Sequence, residues 1–467
     1  MPIINSVINW IMKKRIHQIE LFMKYPKEVQ SEWLKKLLST AKHTEFGEQY
    51  SFGDIDHYET FRERVPIHNY DQIKPYVDRL RQGEQNVLWP TPIKWFAKSS
   101  GTTAAKSKYI PVSKQSLEEC HFKGGKDMLS IYINNYPDSK IFDGKSIAMG
   151  GSHQITDVKS EQYYDGDLSA IIIENLPFWA QMFKTPNRSV ALMDEWESKI
   201  EKMAQITKDE NITSVLGVPS WSLLLLERVL AITSKSHIKE VWPNLEAYVH
   251  GGVKFNPYRQ QFEEVIGGAI NYQETYNASE GFFGIQDCTD KPEMLLMLDY
   301  GVFYEFVPVN EMGSPNAKAI PLWEVKEGIN YAMLISTNAG LWRYDIGDTV
   351  RFTSISPYRI IITGRSKYFI NLAGEELILE DAEYAIAKAC EQSGARISEY
   401  MAGPSDIANG APMRHEWYFE FERPPQDLAH FAEYLDIALK VLGGQNKVPR
   451  LINQRQYINE LIELNNA

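Results

Sequence analysis

Apolar residues at Ile4, Ile8, Ile11, Ile16, Ile19 and Phe22 recur at spacings of three to five, which predicts an amphipathic helix ended by Tyr25-Pro26. A second helix is expected over 28–38. Residues 46–95, with Pro66, Pro75, Pro90 and Pro92, read as loops and short helices. A short apolar strand over 93–97 leads into the polar run Lys98-Ser-Ser-Gly-Thr-Thr. A second strand is expected over 109–112 and a helix opening at Ser113.

From 141 to 270 the pattern alternates. Strands are expected over 145–149, 214–218 and 245–249, and helices over 194–206, 222–232 and 257–266, the second of these opened by Pro219. This alternation predicts an α/β fold with a mostly parallel sheet, whose ligands collect beyond the carboxyl ends of the strands. Gly150-Gly151-Ser152 and His250-Gly251-Gly252 fall at such ends. From 294 to 363 the pattern turns to β, a β-rich, barrel-like portion with strands over 294–298, 302–307, 331–336, 349–353 and 358–363. After Gly364-Arg365 a strand, a helix over 379–392, strands over 397–401 and 416–421 and a helix over 427–442 make a small α+β unit. The expected domains are therefore a large one, 1–364, and a small mobile one, 365–467, with a hinge over 364–367.

The 467 residues exceed what one hydrophobic core organises, in keeping with two domains. The hydrophobic share of 43% and charged share of 24% exclude disordered and low-complexity classes. Lys plus Arg number 49 against 61 Asp plus Glu, a net charge of -12. That balance argues against nucleic acid or an anionic membrane as main partner, because both require a cationic footprint. No run approaches a membrane span. The 3 cysteines, Cys120, Cys288 and Cys390, form no Cys-x-x-Cys pair, so the expectation is a reducing, cytoplasmic setting without disulfides or zinc.

Several short segments carry candidate chemistry. Ser99-Ser100-Gly101-Thr102-Thr103-Ala104-Ala105-Lys106-Ser107-Lys108 sets five hydroxyls and two lysines between two strands, a composition suited to an anion nest; the same composition also makes a solvated hairpin turn. It is no Walker A loop, since Ala105 stands where that motif needs glycine. Glu274-Thr275-Tyr276-Asn277-Ala278-Ser279-Glu280-Gly281 reads either as a strand with a polar end or as a site for nucleotide and Mg²⁺, with Glu280 a hard oxygen ligand. Tyr344-Asp345-Ile346-Gly347-Asp348 reads as an Asp-containing turn or as a carboxylate accepting ribose hydroxyls. Arg365 stands at the expected domain junction, and Lys447 lies in Asn446-Lys-Val-Pro-Arg450. The chain has no His-Glu-x-x-His and no complete nucleophile elbow.

In their order and separation these segments resemble the adenylate-forming superfamily, and more closely the GH3 family of acyl-acid amido synthetases. Gly217-Val-Pro-Ser-Trp221, Trp242-Pro-Asn-Leu245 and Tyr304-Glu-Phe-Val-Pro308 add to the likeness. The resemblance implies a two-step ligase that uses ATP and Mg²⁺, a small carboxylic acid and an amine, typically an amino acid. It implies that Ser99, Ser100, Thr102 and Thr103 hold phosphates. Tyr276, Ala278 and Ser279 border adenine and α-phosphate, Glu280 ligates Mg²⁺ and Asp348 holds the ribose. Lys447, Lys106 and Arg365 supply catalytic positive charge, Lys447 from the mobile domain. An acyl-CoA ligase and a nucleotide-binding protein without turnover are the competing readings. Ala104-Ala105, Asp345 and Asn371 depart from patterns common among relatives, and Asn371 leans the resemblance away from CoA ligases. Leu176, Phe178, Trp179, Met182, Phe183, Trp221 and Phe282 are candidate walls of an acid pocket, or ordinary core residues.

Overall fold

The computed structural model describes residues 14–99, 108–158, 161–252, 254–312, 317–365, 379–404 and 415–443. They fall into two compact units: the residues up to Ile346 with Arg351–Ile361, and Gly347–Val350 with the residues from Ile362 onward. The helices of the first unit include α1 (Pro26–Ala41), α2 (Phe122–Asn135), α3 (Trp196–Thr207), α4 (Pro219–Thr233) and α5 (Asn256–Ile266), and a further one, Tyr70–Arg81, forms where loops and short helices were expected. The second unit holds α6 (Leu379–Ser393) and α7 (Leu428–Gly443).

In the first unit, β1 (Trp95–Ser99) and β2 (Lys108–Val112) form an antiparallel hairpin with Ser99 opposite Lys108. Ser113 caps the helix beyond β2, as its position predicts: its Oγ accepts the Ser116 N–H at 2.9 Å. A hairpin the sequence pattern did not predict, β4 (His153–Val158) and β5 (Glu161–Gly166), completes a sheet of order β2-β1-β5-β4. Its residues are mostly polar, so no apolar alternation marks them; β5 becomes a strand by parallel pairing with β1.

The main sheet begins with β3 (Lys145–Ala148), flanked by β6 (Lys184–Thr185) and β7 (Ile212–Leu216), and continues through β8 (Ala247–Gly251) to β9 (Asn271–Ala278), all parallel. Ile212 to Val215 are all buried, as a strand covered on both faces requires. Ile147, Val215 and Tyr248 from the sheet pack with Met203, Leu226 and Phe262 from α3, α4 and α5. Beyond β9 the same sheet turns antiparallel. β10 (Gly281–Ile285) pairs with β11 (Met294–Leu296), then come β16 (Tyr358–Arg365), β15 (Tyr344–Ile355), β14 (Asn330–Thr337), β12 (Val302–Pro308) and β13 (Ile320–Pro321). The β-rich stretch is thus the antiparallel half of one mixed, 12-stranded sheet.

In the second unit β17 (Arg396–Pro404) and β18 (His415–Arg423) pair antiparallel, and Trp417, Phe431, Leu435, Ala385 and Ala389 form its core with α6 and α7. Among the described residues no helix is long and apolar enough to cross a membrane.

Candidate active site

Tyr276, Ala278, Ser279 and Glu280 share one hairpin. Ala278 of β9 lies opposite Gly281 of β10, so Ser279 and Glu280 form the turn between them. The turn residues are half-buried, while the Tyr276 side chain is buried edge-on to Phe283, ring centroids 5.0 Å apart. The register slips between Phe282 and Gly284, a bulge of the kind that re-aims side chains beside binding sites. Among the described residues no group of three or more His, Cys, Asp or Glu could hold a metal ion. One carboxylate and one hydroxyl in a turn fit a cation that keeps waters and shares phosphate oxygens, which is how Mg²⁺ is ordinarily held.

At the carboxyl ends of the parallel strands, buried polar groups fasten the backbone. The Lys199 Nζ donates to the carbonyls of Gly150 (2.9 Å) and Gly151 (3.3 Å), fixing the glycine turn after β3. Burial lowers its pKa, opposed by Asp167 and Asp194. The Tyr248 hydroxyl donates to the Gly217 carbonyl at 2.9 Å, holding the turn that opens α4. His250 lies flat on Phe255, centroids 4.2 Å apart, and burial with the nearby Arg259 charge brings it down to about 3, so it is neutral. Its register partner on β9 is Glu274, whose carboxyl is pushed up to about 7 by burial, against the pull of Lys254 and Arg259.

Ser99 ends β1, half-buried, in the smaller sheet. Ser100, Thr102, Thr103, Lys106 and Lys447 lie outside the described residues, as does Asn371. In the second unit Asp348 and Arg365, expected separately at the nucleotide, come together: Arg365 Nε is 3.1 Å from Asp348 Oδ1. Thr349 and Thr363 share a buried hydrogen bond of 2.8 Å beside them. Among the described side chains the aromatic candidates make separate contacts. Phe183 packs on Phe142, Trp221 on Trp196 and Phe282 near Tyr300, while Phe178 is 79% and Met182 61% exposed.

Two of the supporting segments serve the core. Trp242 Nε1 donates to the Thr207 carbonyl at 2.8 Å. Glu305 pairs with Arg343, whose Nη2 lies 2.8 Å from Oε1 in a nearly solvent-free site, and Tyr58 donates to the same carboxylate at 2.9 Å.

The chain matches the GH3 family N-terminal domain over residues 15–270, the GH3 family central domain over 295–365 and the GH3 family C-terminal domain over 380–443. It belongs to the GH3 family. Among named relatives, an indole-3-acetic acid-amido synthetase of Arabidopsis thaliana, GH3.4, is 23% identical over 83% of this chain and 75% of its own length. A jasmonoyl–L-amino acid synthetase of Oryza sativa subsp. japonica, GH3.5, is 23% identical over 93% of this chain and 88% of its own. The GH3 fold is borne out by the solved acyl acid amido synthetase AtGH3.15, with a TM-score of 0.75 at 17% identity, covering 97% of this chain and 91% of that one. A 2-hydroxyisobutyryl-CoA ligase in its postadenylation state shares the architecture at a TM-score of 0.60 and 12% identity, over 93% of this chain and 91% of that one.

For this GH3 chain, sequence reasoning overlooked Glu274, Lys199, Cys120 and His121. Glu274 stood inside a recognised segment, but the sequence carries no sign of its burial. Lys199 sits in a helix where lysine is ordinary, and only the fold brings it to the glycine turn.

Proposed function

We propose that this GH3 protein is an ATP-dependent acyl-acid amido synthetase that activates a small carboxylic acid as its acyl-adenylate and passes the acyl group to an amino acid. The observation that carries this reading is the ordered match of all three GH3 domains along the chain. A carboxylate is a poor electrophile, so an acid must exchange an oxide for a better leaving group before an amine can displace it. Attack of the carboxylate on the α-phosphorus releases pyrophosphate; attack of the amine on the acyl carbon then releases AMP.

In this reading the Ser279-Glu280 turn faces the α-phosphate, and Tyr276 and Ala278 border the adenine. Ser99, Ser100, Thr102 and Thr103 cradle phosphates with Lys106, and Asp348, steadied by Arg365, accepts the ribose hydroxyls. Glu280 would hold Mg²⁺, which neutralises phosphate charge as two anions meet. Lys447 brings a further cation from the small domain, 365–467, which moves between the half-reactions. The three free cysteines fit a cytoplasmic enzyme.

The test is a product assay with the full chain, ATP, Mg²⁺, panels of acids and amino acids, and a parallel arm with CoA. Amide, AMP and pyrophosphate in equal amounts are expected. Thioester from CoA with no amide would make the protein an acyl-CoA ligase, and ATP bound without any product would make it a sensor or scaffold.

A further inference from the structure

The helix that supports the Ser279-Glu280 hairpin is irregular where it meets the hairpin. It opens as α-helix over Lys114–Ser116, widens to a π-helical turn over Leu117–His121, and resumes as α2. Such a turn inserts one residue into the helix. At 3.6 residues per turn it rotates the side chains of α2 by about 100° relative to an unbroken helix, and such turns concentrate at functional sites.

Here the turn aims Cys120 and His121 at both strands of the hairpin. The Phe282 N–H of β10 donates to the Cys120 Sγ at 3.1 Å, and the thiol in turn lies 3.9 Å from the Phe282 carbonyl. Burial pushes the thiol up to about 12, so it stays protonated and can donate as well as accept. At Gly281 an added Cβ would lie 2.8 Å from the Phe283 ring and 3.6 Å from Cys120 Sγ, so the backbone approach needs glycine. At Gly124, on the first turn of α2, an added Cβ would lie 2.6 Å from the Phe282 ring. His121 is buried against the Asn277 side chain of β9, and burial brings its pKa down to about 4, leaving a neutral ring. A hydrogen bond with the Asn277 side chain acts against that lowering. The contacts bracket the turn: Asn277 on one side of Ser279-Glu280, Gly281 and Phe282 on the other.

We propose that this π-helical turn is the seat of the nucleotide hairpin, with Cys120 and His121 as positioning residues that hold Ser279 and Glu280 in the geometry that binds ATP. The inference rests on the function proposed above. Removing the thiol leaves the Phe282 N–H buried without an acceptor and frees one strand of the hairpin next to its turn.

The test compares the full chain with Cys120→Ala and Cys120→Ser. Three quantities are read: ATP affinity by calorimetry in the presence of Mg²⁺, amide hydrogen exchange of Phe282, and KM for ATP against KM for the acid. Cys120→Ala should weaken ATP about tenfold, the loss expected for one orphaned buried donor beside the site. It should speed exchange at Phe282 and leave the KM for the acid unchanged, while Cys120→Ser, which keeps an acceptor, recovers most of the affinity. Faster exchange or a lower melting temperature with wild-type ATP affinity would overturn the proposal and leave the turn a purely structural support. If Cys120→Ala does not fold, Gly124→Ala, which keeps the hydrogen bond but displaces the Phe282 ring, is read for ATP alone: weaker ATP binding with an unchanged KM for the acid is expected, and wild-type ATP affinity would overturn the proposal. A wild-type chain that binds no ATP would instead overturn the proposed function itself, before any variant is compared.

Discussion

Glu274 is the residue whose environment departs furthest from what its type suggests. Its carboxyl titrates near 7 in the folded chain, against 4.5 for an ordinary glutamate, chiefly through burial. Between those two pH values the folded state keeps a proton that the unfolded state has released, so stability falls as pH rises from 4.5 to 7. Glu274→Gln should therefore match the wild type below pH 4.5 and exceed it above pH 7, by roughly 1–2 kcal/mol after allowance for partial exposure, read from denaturant melts. His250 acts in the opposite sense: lowered from 6.5 to about 3, it contributes stability that is lost as pH falls through that range. Asp348→Ala should weaken ATP binding, read by calorimetry, because it removes the carboxylate proposed to accept the ribose hydroxyls. Lys447→Ala should slow adenylation by about 10²–10³ with ATP affinity nearly intact, checked by pyrophosphate exchange. Glu280 and Asp348 could be proposed from the sequence because an acidic residue beside a glycine turn is a local pattern. Cys120 was not, since a thiol accepting a backbone N–H depends on a helical irregularity that leaves no mark in apolar spacing.

Among the elements, most longer helices were readable because each buries one face and repeats its apolar residues at a fixed period, and the central parallel strands because they are short apolar runs; the helix Tyr70–Arg81 was not, because Pro75 inside it reads as a break. The β4–β5 hairpin was hidden for the converse reason: it is held by pairing with β1 and by the stacking of Tyr163 and Tyr164 on Phe96 and Trp95, not by a repeating apolar face. The turn before β15 depends on a single buried charge. Arg343 adopts φ 44, uncommon for a residue with a side chain, and its guanidinium also donates to the Arg62 and Val65 carbonyls at 2.8 and 2.6 Å. Arg343→Met leaves Glu305 buried without its cation and should cost about 3–5 kcal/mol, measured by denaturant unfolding. A smaller loss would mean that Tyr58 alone satisfies the carboxylate.

At the scale of the whole chain, a net charge of -12 coexists with a reaction between anions, which is workable because the fields that matter are local. The change of pattern after the β-rich stretch suggests a division near residue 364, whereas the compact units exchange Gly347–Val350 and divide again at Ile362. The identity of the acid was not, since the aromatic residues that suggested a pocket take part in separate packing contacts or face solvent. Acyl-adenylation leaves a mark that no other route to an amide shares, because the oxygen that bridges acyl carbon and α-phosphorus departs with the nucleotide. Turnover of an acid labelled with ¹⁸O in its carboxylate, followed by mass spectrometry of the nucleotide product, is therefore the most direct measurement. AMP carrying one ¹⁸O is the predicted result; unlabelled AMP, or ADP with the label in inorganic phosphate, would contradict the account.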